Sequence, residues 1–389
     1  MDANKQQKHD EGLDGLPDEI LQEIITKLLI REAIETSLIS QRWKDLWKGV
    51  SSIELEEGDG RRQQFTNFVE KILAVFNSSL LRKFSLICEV VGDTPQVNRW
   101  LSGFIKPNIE ELRLDFERVE EPLIFPDELF RSEKLTHFDL SMPHVINLPS
   151  FINFLALRTL TLKHVIFPNT CSTQQLFTAC PSLKELTLID CIWMHVCAVC
   201  IVCPSLQKLV IREWKDDDDE ENIDAVGQTQ NNIIPPYCQI VIVGNNNLKK
   251  FSYDGDILND YSLYSTTSIT DGTVEVQPPK ANTLHAGHFV LKLLTALSHV
   301  EKLSISDFAA EVIHVIIYIC MYVFCNLESV CAYTSQALSH ESSLIPYIPL
   351  FENLVELQVV SGAPMNFACD ALQTILRRSR NLEAVDFVM

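Results

Sequence analysis

Within 13 residues the chain gathers Cys191, His195, Cys197, Cys200 and Cys203, and thiols spaced C-x-x-C next to an imidazole are zinc-ligand chemistry. A competing pattern explains them better. Cys203-Pro204-Ser205-Leu206 repeats Cys180-Pro181-Ser182-Leu183 at a 23-residue offset, so Cys203 holds a repeat position where a small buried cysteine packs as core. The apolar neighbours Val196, Val199, Ile201 and Val202 suggest a buried helix around it. No metal is expected. The ten histidines are scattered, and no G-x-S-x-G, H-E-x-x-H, P-loop or Rossmann phrase occurs, so a nucleophile with its base and orienting group is not in view. His164 and His314 lie in apolar surroundings and read as core or rim, and Trp100, Trp193 and Trp214 as packing residues. The chain reads as no enzyme, and no cofactor is expected.

Bulk properties narrow the partners. A net charge of −20 and a pI near 4.9 exclude a nucleic-acid surface, which needs clustered Lys and Arg to displace counterions. Part of the acidity is the run Asp216, Asp217, Asp218, Asp219, Glu220 and Glu221, read as a solvated insertion over 215–235. It lacks the spaced ligands and turn glycine of a calcium loop. Residues 1–12 are polar, read as a disordered N-terminus without a signal-peptide apolar region, which implies a cytoplasmic or nuclear protein with its twelve cysteines reduced. The longest apolar stretch, Val312 to Cys325, spans 14 residues and contains His314, short of the roughly 18–20 that cross a bilayer. It reads as a buried helix, and no membrane partner is expected.

The elements that position function begin at Leu16. Leu16, Ile20, Leu21, Ile24, Ile25 and Leu28 mark one face of a helix over about 17–29, with Pro17 at its first position and Asp18 and Glu19 at the positive end of its dipole. Ala33, Ile34, Ser37 and Leu38 continue the helical period, and Ser40 can cap a third short helix carrying Trp43, Leu46 and Trp47. Three helices in so short a segment cannot bury two tryptophans alone, which predicts a partner.

The run Leu16-Pro17-Asp18-Glu19-Ile20-Leu21, then Ile24, Leu28, Thr36-Ser37-Leu38-Ile39-Ser40, Arg42-Trp43 and Leu46-Trp47, resembles the plant F-box, placed at 13–50. Leu29 stands where that family commonly has Pro, and Glu35 where a basic residue is usual. The resemblance implies docking on a Skp-type adaptor, and through it a cullin, by Leu16, Pro17, Ile20, Ile24, Leu28, Leu38, Trp43 and Leu46.

Over 51–389 a phrase apolar-x-x-apolar-x-apolar recurs eleven times, as in Leu81-Phe84-Leu86, Ile109-Leu112-Leu114, Leu183-Leu186-Leu188, Leu327-Val330-Ala332 and Leu382-Val385-Phe387. Its first positions are spaced 28, 26, 22, 26, 23, 42, 52, 27, 27 and 28 residues, so all but two intervals have leucine-rich-repeat length. The 42-residue interval contains the acidic run, and the 52-residue interval hides one degenerate repeat. Segments such as Pro126 to Phe130, Gln174 to Ala179 and Ala371 to Arg378 carry helical spacing between strands. The fold class is therefore α/β: a three-helix F-box followed by a leucine-rich-repeat solenoid, a curved parallel sheet with helices or irregular turns outside. Side chains between the core positions form a binding face, with Arg113, His137, Thr161, Thr187 and Val210 as candidates for holding a protein target. The body resembles plant F-box proteins with leucine-rich repeats. Many of those end in an FBD segment, which is expected to be absent here because the chain stops at Met389, directly after the last strand.

The combined reading is a substrate-recognition adaptor of a Skp–cullin–F-box ubiquitin ligase. The competing one is a leucine-repeat scaffold or receptor whose first 50 residues cap the repeats.

Overall fold

The computed structural model describes residues 15–193, 195–214, 238–243, 246–276, 283–310, 348–360 and 369–388. Residues 1–12, the acidic run, the stretch Val312 to Cys325 with His314, and the phrase Leu327-Val330-Ala332 lie outside the described residues. Two compact units divide the chain, Met1–Phe154 and Leu155–Met389.

The first unit opens with helix α1 (Asp18–Thr26) and α2 (Ile30–Glu35), then short 3-10 turns at Thr36–Leu38 and Leu46–Gly49. Helix α1 is shorter than its apolar period predicts, and the expected third helix is a series of turns in which the Ser40 hydroxyl accepts the Arg42 N–H at 3.3 Å. Four parallel strands follow, β1 (Ser52–Glu56), β2 (Lys83–Glu89), β3 (Glu111–Glu117) and β4 (His137–Ser141), interleaved with α3 (Arg62–Val75), α4 (Thr94–Phe104) and α5 (Asp127–Phe130). Registers run Ile53–Phe84–Leu112–Phe138 and Leu55–Leu86–Leu114–Leu140, and all eight side chains are buried. They meet the helix layer, where Phe84 stacks on Phe104 at 4.9 Å, and within that layer Phe65 of α3 meets Trp100 of α4 edge-on at 5.9 Å. The alternate residues, Glu54, Ser85, Arg113 and Asp139 among them, share the opposite face, which carries no helix among the described residues.

In the second unit the main sheet runs β5 (Thr159–Lys163), β6 (Glu185–Ile189), β8 (Lys208–Glu213), β10 (Lys250–Gly255), β12 (Asp271–Val276), β13 (Lys302–Ser306), β14 (Glu356–Val360) and β15 (Ala384–Val388), all parallel. Every described apolar phrase coincides with one of these strands or with β2, β3 or β4. Strand β12 fills the long interval, and its phrase is Ile269-x-x-Gly272-x-Val274. Gly272 stands where other repeats carry a large apolar residue because Leu297 occupies that space; a Cβ at Gly272 would lie 3.2 Å from a Leu297 methyl. The leucine pattern is hidden by a neighbour that supplies the missing bulk.

The outer layer of this unit contains helices α6 (Thr170–Thr178), α7 (Thr283–Ala296) and α8 (Cys369–Arg377), but also a second parallel sheet in the order β11 (Asp260–Tyr264), β9 (Gln239–Val243), β7 (Ala198–Val202). The buried helix expected around Val196 to Val202 is thus a strand, because Val199 and Ile201 alternate inward with period 2, and β-branched residues pack well on a pleated surface. Gln174 of α6 finishes the outer edge of β7, its amide donating to the Cys200 carbonyl and accepting the Cys200 N–H, both at 2.7 Å. That satisfies an edge otherwise open to pairing.

Glu213 ties the two sheets. It lies at the end of β8 and accepts from the Tyr253 hydroxyl at 3.0 Å, Leu258 N–H at 3.1 Å, Asn259 Nδ2 at 2.8 Å and the Tyr261 hydroxyl. Burial pushes its carboxyl above the ordinary range, and these donors pull the other way. Gly255 is required beside it: its φ is +143°, and a Cβ would fall 1.9 Å from the Glu213 carbonyl oxygen.

Candidate functional site: two surfaces left open

The N-terminal helices bury some of their apolar residues and leave others half-buried or exposed. Leu21, Ile25, Ile30, Ala33, Trp43, Trp47 and Val50 are buried. Leu16, Ile24, Leu28 and Leu46 are half-buried, and Pro17 is exposed. Ile20, Leu29, Leu38 and Ile39 are exposed by 42%, 57%, 87% and 52%, far beyond what a buried apolar stripe leaves open.

Two sequence expectations change here. Trp43 belongs to the docking set that the resemblance implies, yet it is 1% exposed and supports the surface from within. Nor do the tryptophans wait for a partner: both are buried within the chain, and the Leu46–Gly49 turn that carries Trp47 packs on α1 and α2. Leu29 and Ile39 join the exposed set instead. The signal for both is in the sequence, since Leu29 stands at a helix junction and Ile39 follows the 3-10 turn outside any helical stripe.

Helix α1 is held at its start by the chain that follows it. The Pro17 carbonyl accepts the Ile20 and Leu21 N–H groups at 3.1 Å each, so Pro17 precedes the helix and does not form its first residue. Arg42 reaches back to Asp18. At the next junction the Leu29 N–H donates to the Glu32 carboxylate at 3.1 Å, which orients α2 and leaves the Leu29 side chain outward.

The second open surface is the helix-free side of the strands. In the first unit Arg113 and His137 line one shallow hollow of about 270 Å³ together with Glu54, Lys83, Ser85 and Glu111. In the second unit Thr161 pairs in register with Thr187, and Thr187 with Val210, so these three form one row of half-buried side chains. The candidates therefore fall into two groups. Charged rows flank the second: Glu185 faces Lys208 at 3.7 Å, and Arg212 faces Asp254 at 3.6 Å.

The cysteine cluster disperses. Cys191 and Cys203 point into the core, Cys197 is exposed and Cys200 intermediate, and among the described residues no group of three or more His, Cys, Asp or Glu is placed to hold a metal. Burial pushes the Cys203 thiol up to about 12 and raises Cys180 as well, which makes both poor nucleophiles. Their hydrogens go to repeat carbonyls, Cys180 to Leu176 at 3.3 Å and Cys203 to Phe177 at 3.4 Å. Among the described residues no helix is long and apolar enough to cross a membrane.

Comparison with known proteins falls on the same two regions. The F-box domain family matches residues 13–54, and the family described as "FBD-associated F-box protein At5g56370, LRR repeats" matches residues 97–227. The chain is 31% identical over 231 residues to F-box protein At4g27050 of Arabidopsis thaliana, covering 53% of this chain and 49% of that one. It is 24% identical over 306 residues to F-box/LRR-repeat protein At3g26922 of the same plant, covering 77% of this chain and 90% of the relative. F-box/FBD/LRR-repeat protein At3g52680, also from Arabidopsis thaliana, is 26% identical over 262 residues, covering 66% and 55%. The chain thus spans about half the length of two of these three relatives.

Proposed function

We propose, from the premise that this chain belongs with the plant F-box/leucine-rich-repeat proteins, that it is the substrate-recognition adaptor of a Skp–cullin–F-box ubiquitin ligase. The exposed apolar surface of Pro17, Ile20, Leu29, Leu38 and Ile39, with the flanks of Leu16, Ile24, Leu28 and Leu46, docks on the Skp-type adaptor. The repeats hold a protein target through their helix-free face.

The observation that carries this reading is the pairing of a packed interior with an uncovered apolar exterior in one small module. Leu38, 87% exposed, sits a few residues from Trp43, which is 1% exposed. A module needing apolar contacts only for its own fold would turn Leu38 inward, since burying such a side chain is worth about 1.5–3 kcal/mol. A partner surface recovers that energy after the costs of association are met. The chain then contributes geometry and no bond-making residue: holding ligase and target together raises the effective concentration of a ubiquitin-charged enzyme at the target lysine.

Pull-down with a plant Skp-type adaptor tests the reading. The wild-type chain should capture it, and Leu38→Asp with Leu29→Asp should not while the fold persists. Equal capture by both would sink the docking claim.

A second reading is supported by a specific contact. Arg31 lies over the Phe68 ring of α3 at 5.1 Å, and α2 packs against β1, so the same residues also cover the first strand of the repeats. A scaffold whose N-terminal segment is only a cap would unfold or aggregate when residues 1–50 are removed. An adaptor with a separate docking module would leave a folded body that no longer captures the Skp-type protein.

A further inference from the structure

We propose that the helix-free face of β1, β2 and β3, centred on Ser85, receives a target segment that presents one acidic and one basic side chain, the acid to Arg113 and the base to Glu54. This rests on the reading that the repeats hold a protein target, and it specifies what that target carries.

Most arginines of the first unit's repeats are engaged. Arg62 holds Glu57 at 2.6 Å and also Asp93, Arg82 holds Glu110 at 2.6 Å, and Arg99 holds Glu70. Arg118 faces Glu89 at 3.8 Å, and Arg131 lies over the Phe151 ring at 5.5 Å. Arg113, the arginine borne by β3, is exposed and makes no hydrogen bond or ion pair among the described residues, although Glu111 and Asp115 flank it in sequence. Glu111 is taken by Lys83 at 2.7 Å, so the first row across the sheet closes on itself.

The next row does not close. Glu54, Ser85, Arg113 and Asp139 follow one another in register; Asp139 has a contact of its own, and Glu54 is likewise exposed with no partner among the described residues. Between the two open charges the Ser85 hydroxyl oxygen is buried and makes no hydrogen bond. Such an unmade bond is uncommon in a folded interior and is available to a ligand. These groups share the hollow of about 270 Å³, which is large enough for a few side chains.

Charge decides the class of occupant. A wholly anionic segment would meet Glu54, Glu111 and Asp139, and a wholly cationic one would meet Lys83 beside Arg113. A segment of mixed charge pairs with both free ends. The guanidinium favours a carboxylate because its fork matches two oxygens at once. Adjacent strands are separated by about 4.8 Å, which puts the two charges roughly 10 Å apart. An extended polyproline-type segment rises about 3.1 Å per residue with three residues per turn, so residues i and i+3 lie on one side about 9 Å apart. A β-strand would turn those two residues to opposite sides.

Blocked proline-rich peptides carrying Asp-Pro-Pro-Arg, Arg-Pro-Pro-Asp or the neutral Asn-Pro-Pro-Gln test this by calorimetric titration of the full chain at low ionic strength. The wild-type protein should bind one charged polarity at least tenfold more tightly than the neutral peptide. Arg113→Glu should lose that preference, and the double variant Glu54→Arg with Arg113→Glu should prefer the opposite polarity. Both residues are exposed, so unchanged circular dichroism certifies the variants. Equal binding of all three peptides, or no change on charge reversal, overturns the site. Capture of the Skp-type adaptor is scored on the same preparations: its failure counts against the ligase reading, while the peptide result alone decides this face.

Discussion

Arg42 closes on Asp18 across 24 residues, its Nε at 2.9 Å and its Nη2 at 2.5 Å from the same carboxylate oxygen. The pair joins the opening Leu-Pro-Asp-Glu phrase to the closing Arg-Trp phrase, so two halves of one sequence motif meet at the start of α1. It orients the helix more than it stabilises it. The Asp18 carboxylate is largely in water and the Arg42 side chain is 35% exposed, and a bridge open to solvent on one side is worth about 0–1 kcal/mol.

Asp18→Ala should therefore lower stability by no more than about 1 kcal/mol in chemical denaturation, with the smaller effect at high salt. A loss of several kcal/mol would show that the contact carries the packing of α1, contrary to its exposure.

Trp43→Ala and Leu38→Asp should separate interior from surface. Removing the buried indole should cost about 3–5 kcal/mol and lower the melting temperature of the N-terminal unit. Leu38→Asp should leave the melting temperature within a degree or two, since surface substitutions usually change stability by about half a kcal/mol or less, yet abolish adaptor capture.

Glu213 sets a pH dependence whose direction follows from its burial. The folded chain binds the carboxyl proton more tightly than the unfolded chain does. The associated stability is complete below the ordinary glutamate value of about 4.3 and is lost as pH rises from there through the raised folded value. Asp254 and Glu275 are raised in the same sense by burial, and Glu70 is lowered by its hydrogen bonds and Arg99 despite desolvation, so only the difference from a variant isolates Glu213. Glu213→Gln should flatten that part of the profile in urea titrations run upward from about pH 4. It should also cost about 1–3 kcal/mol near neutrality, because an amide N–H must then face the donors of either Leu258 or Asn259.

Gln174→Ala should unlock the edge of β7. With its side chain gone, the Cys200 N–H and carbonyl lose both 2.7 Å partners, and amide exchange at Cys200 should accelerate while the main-sheet strands stay protected. Unchanged exchange there would mean that the helix alone shields this edge.

Gly255→Ala should be the most damaging of the small substitutions, by more than the roughly 1 kcal/mol usual for a glycine replaced at an unstrained position. The added methyl group would strike the Glu213 backbone at a φ that L-residues avoid. Near wild-type stability would require that β8 and β10 separate at that end, which loss of the Tyr253–Glu213 bond would report.

Strand positions and the nature of both modules are already written in the order of the residues. The core positions are legible because period 2 within a strand and a period of 20–29 residues between strands are both carried by apolar side chains; Phe84, Leu112, Leu186 and Leu209 are buried where the phrase places them. The F-box run is legible for a similar reason, being short, ordered and local.

Burial and partnership are settled by contacts between distant parts of the chain. Local spacing makes Trp43 and Leu38 equally apolar, but burial depends on which neighbours the fold brings to each, and it places one at 1% and the other at 87% exposure. Strand β12 is hidden because Leu297 supplies the volume that Gly272 omits. The second sheet reads as helix in part because short apolar runs do not fix their own period. Glu213 is recognisable as an acid at an inward parity of β8, after Leu209 and Ile211, but its four donors come from residues 40 to 48 positions away. Contacts of that range are set by the stacking of repeats, which no local window of residues contains.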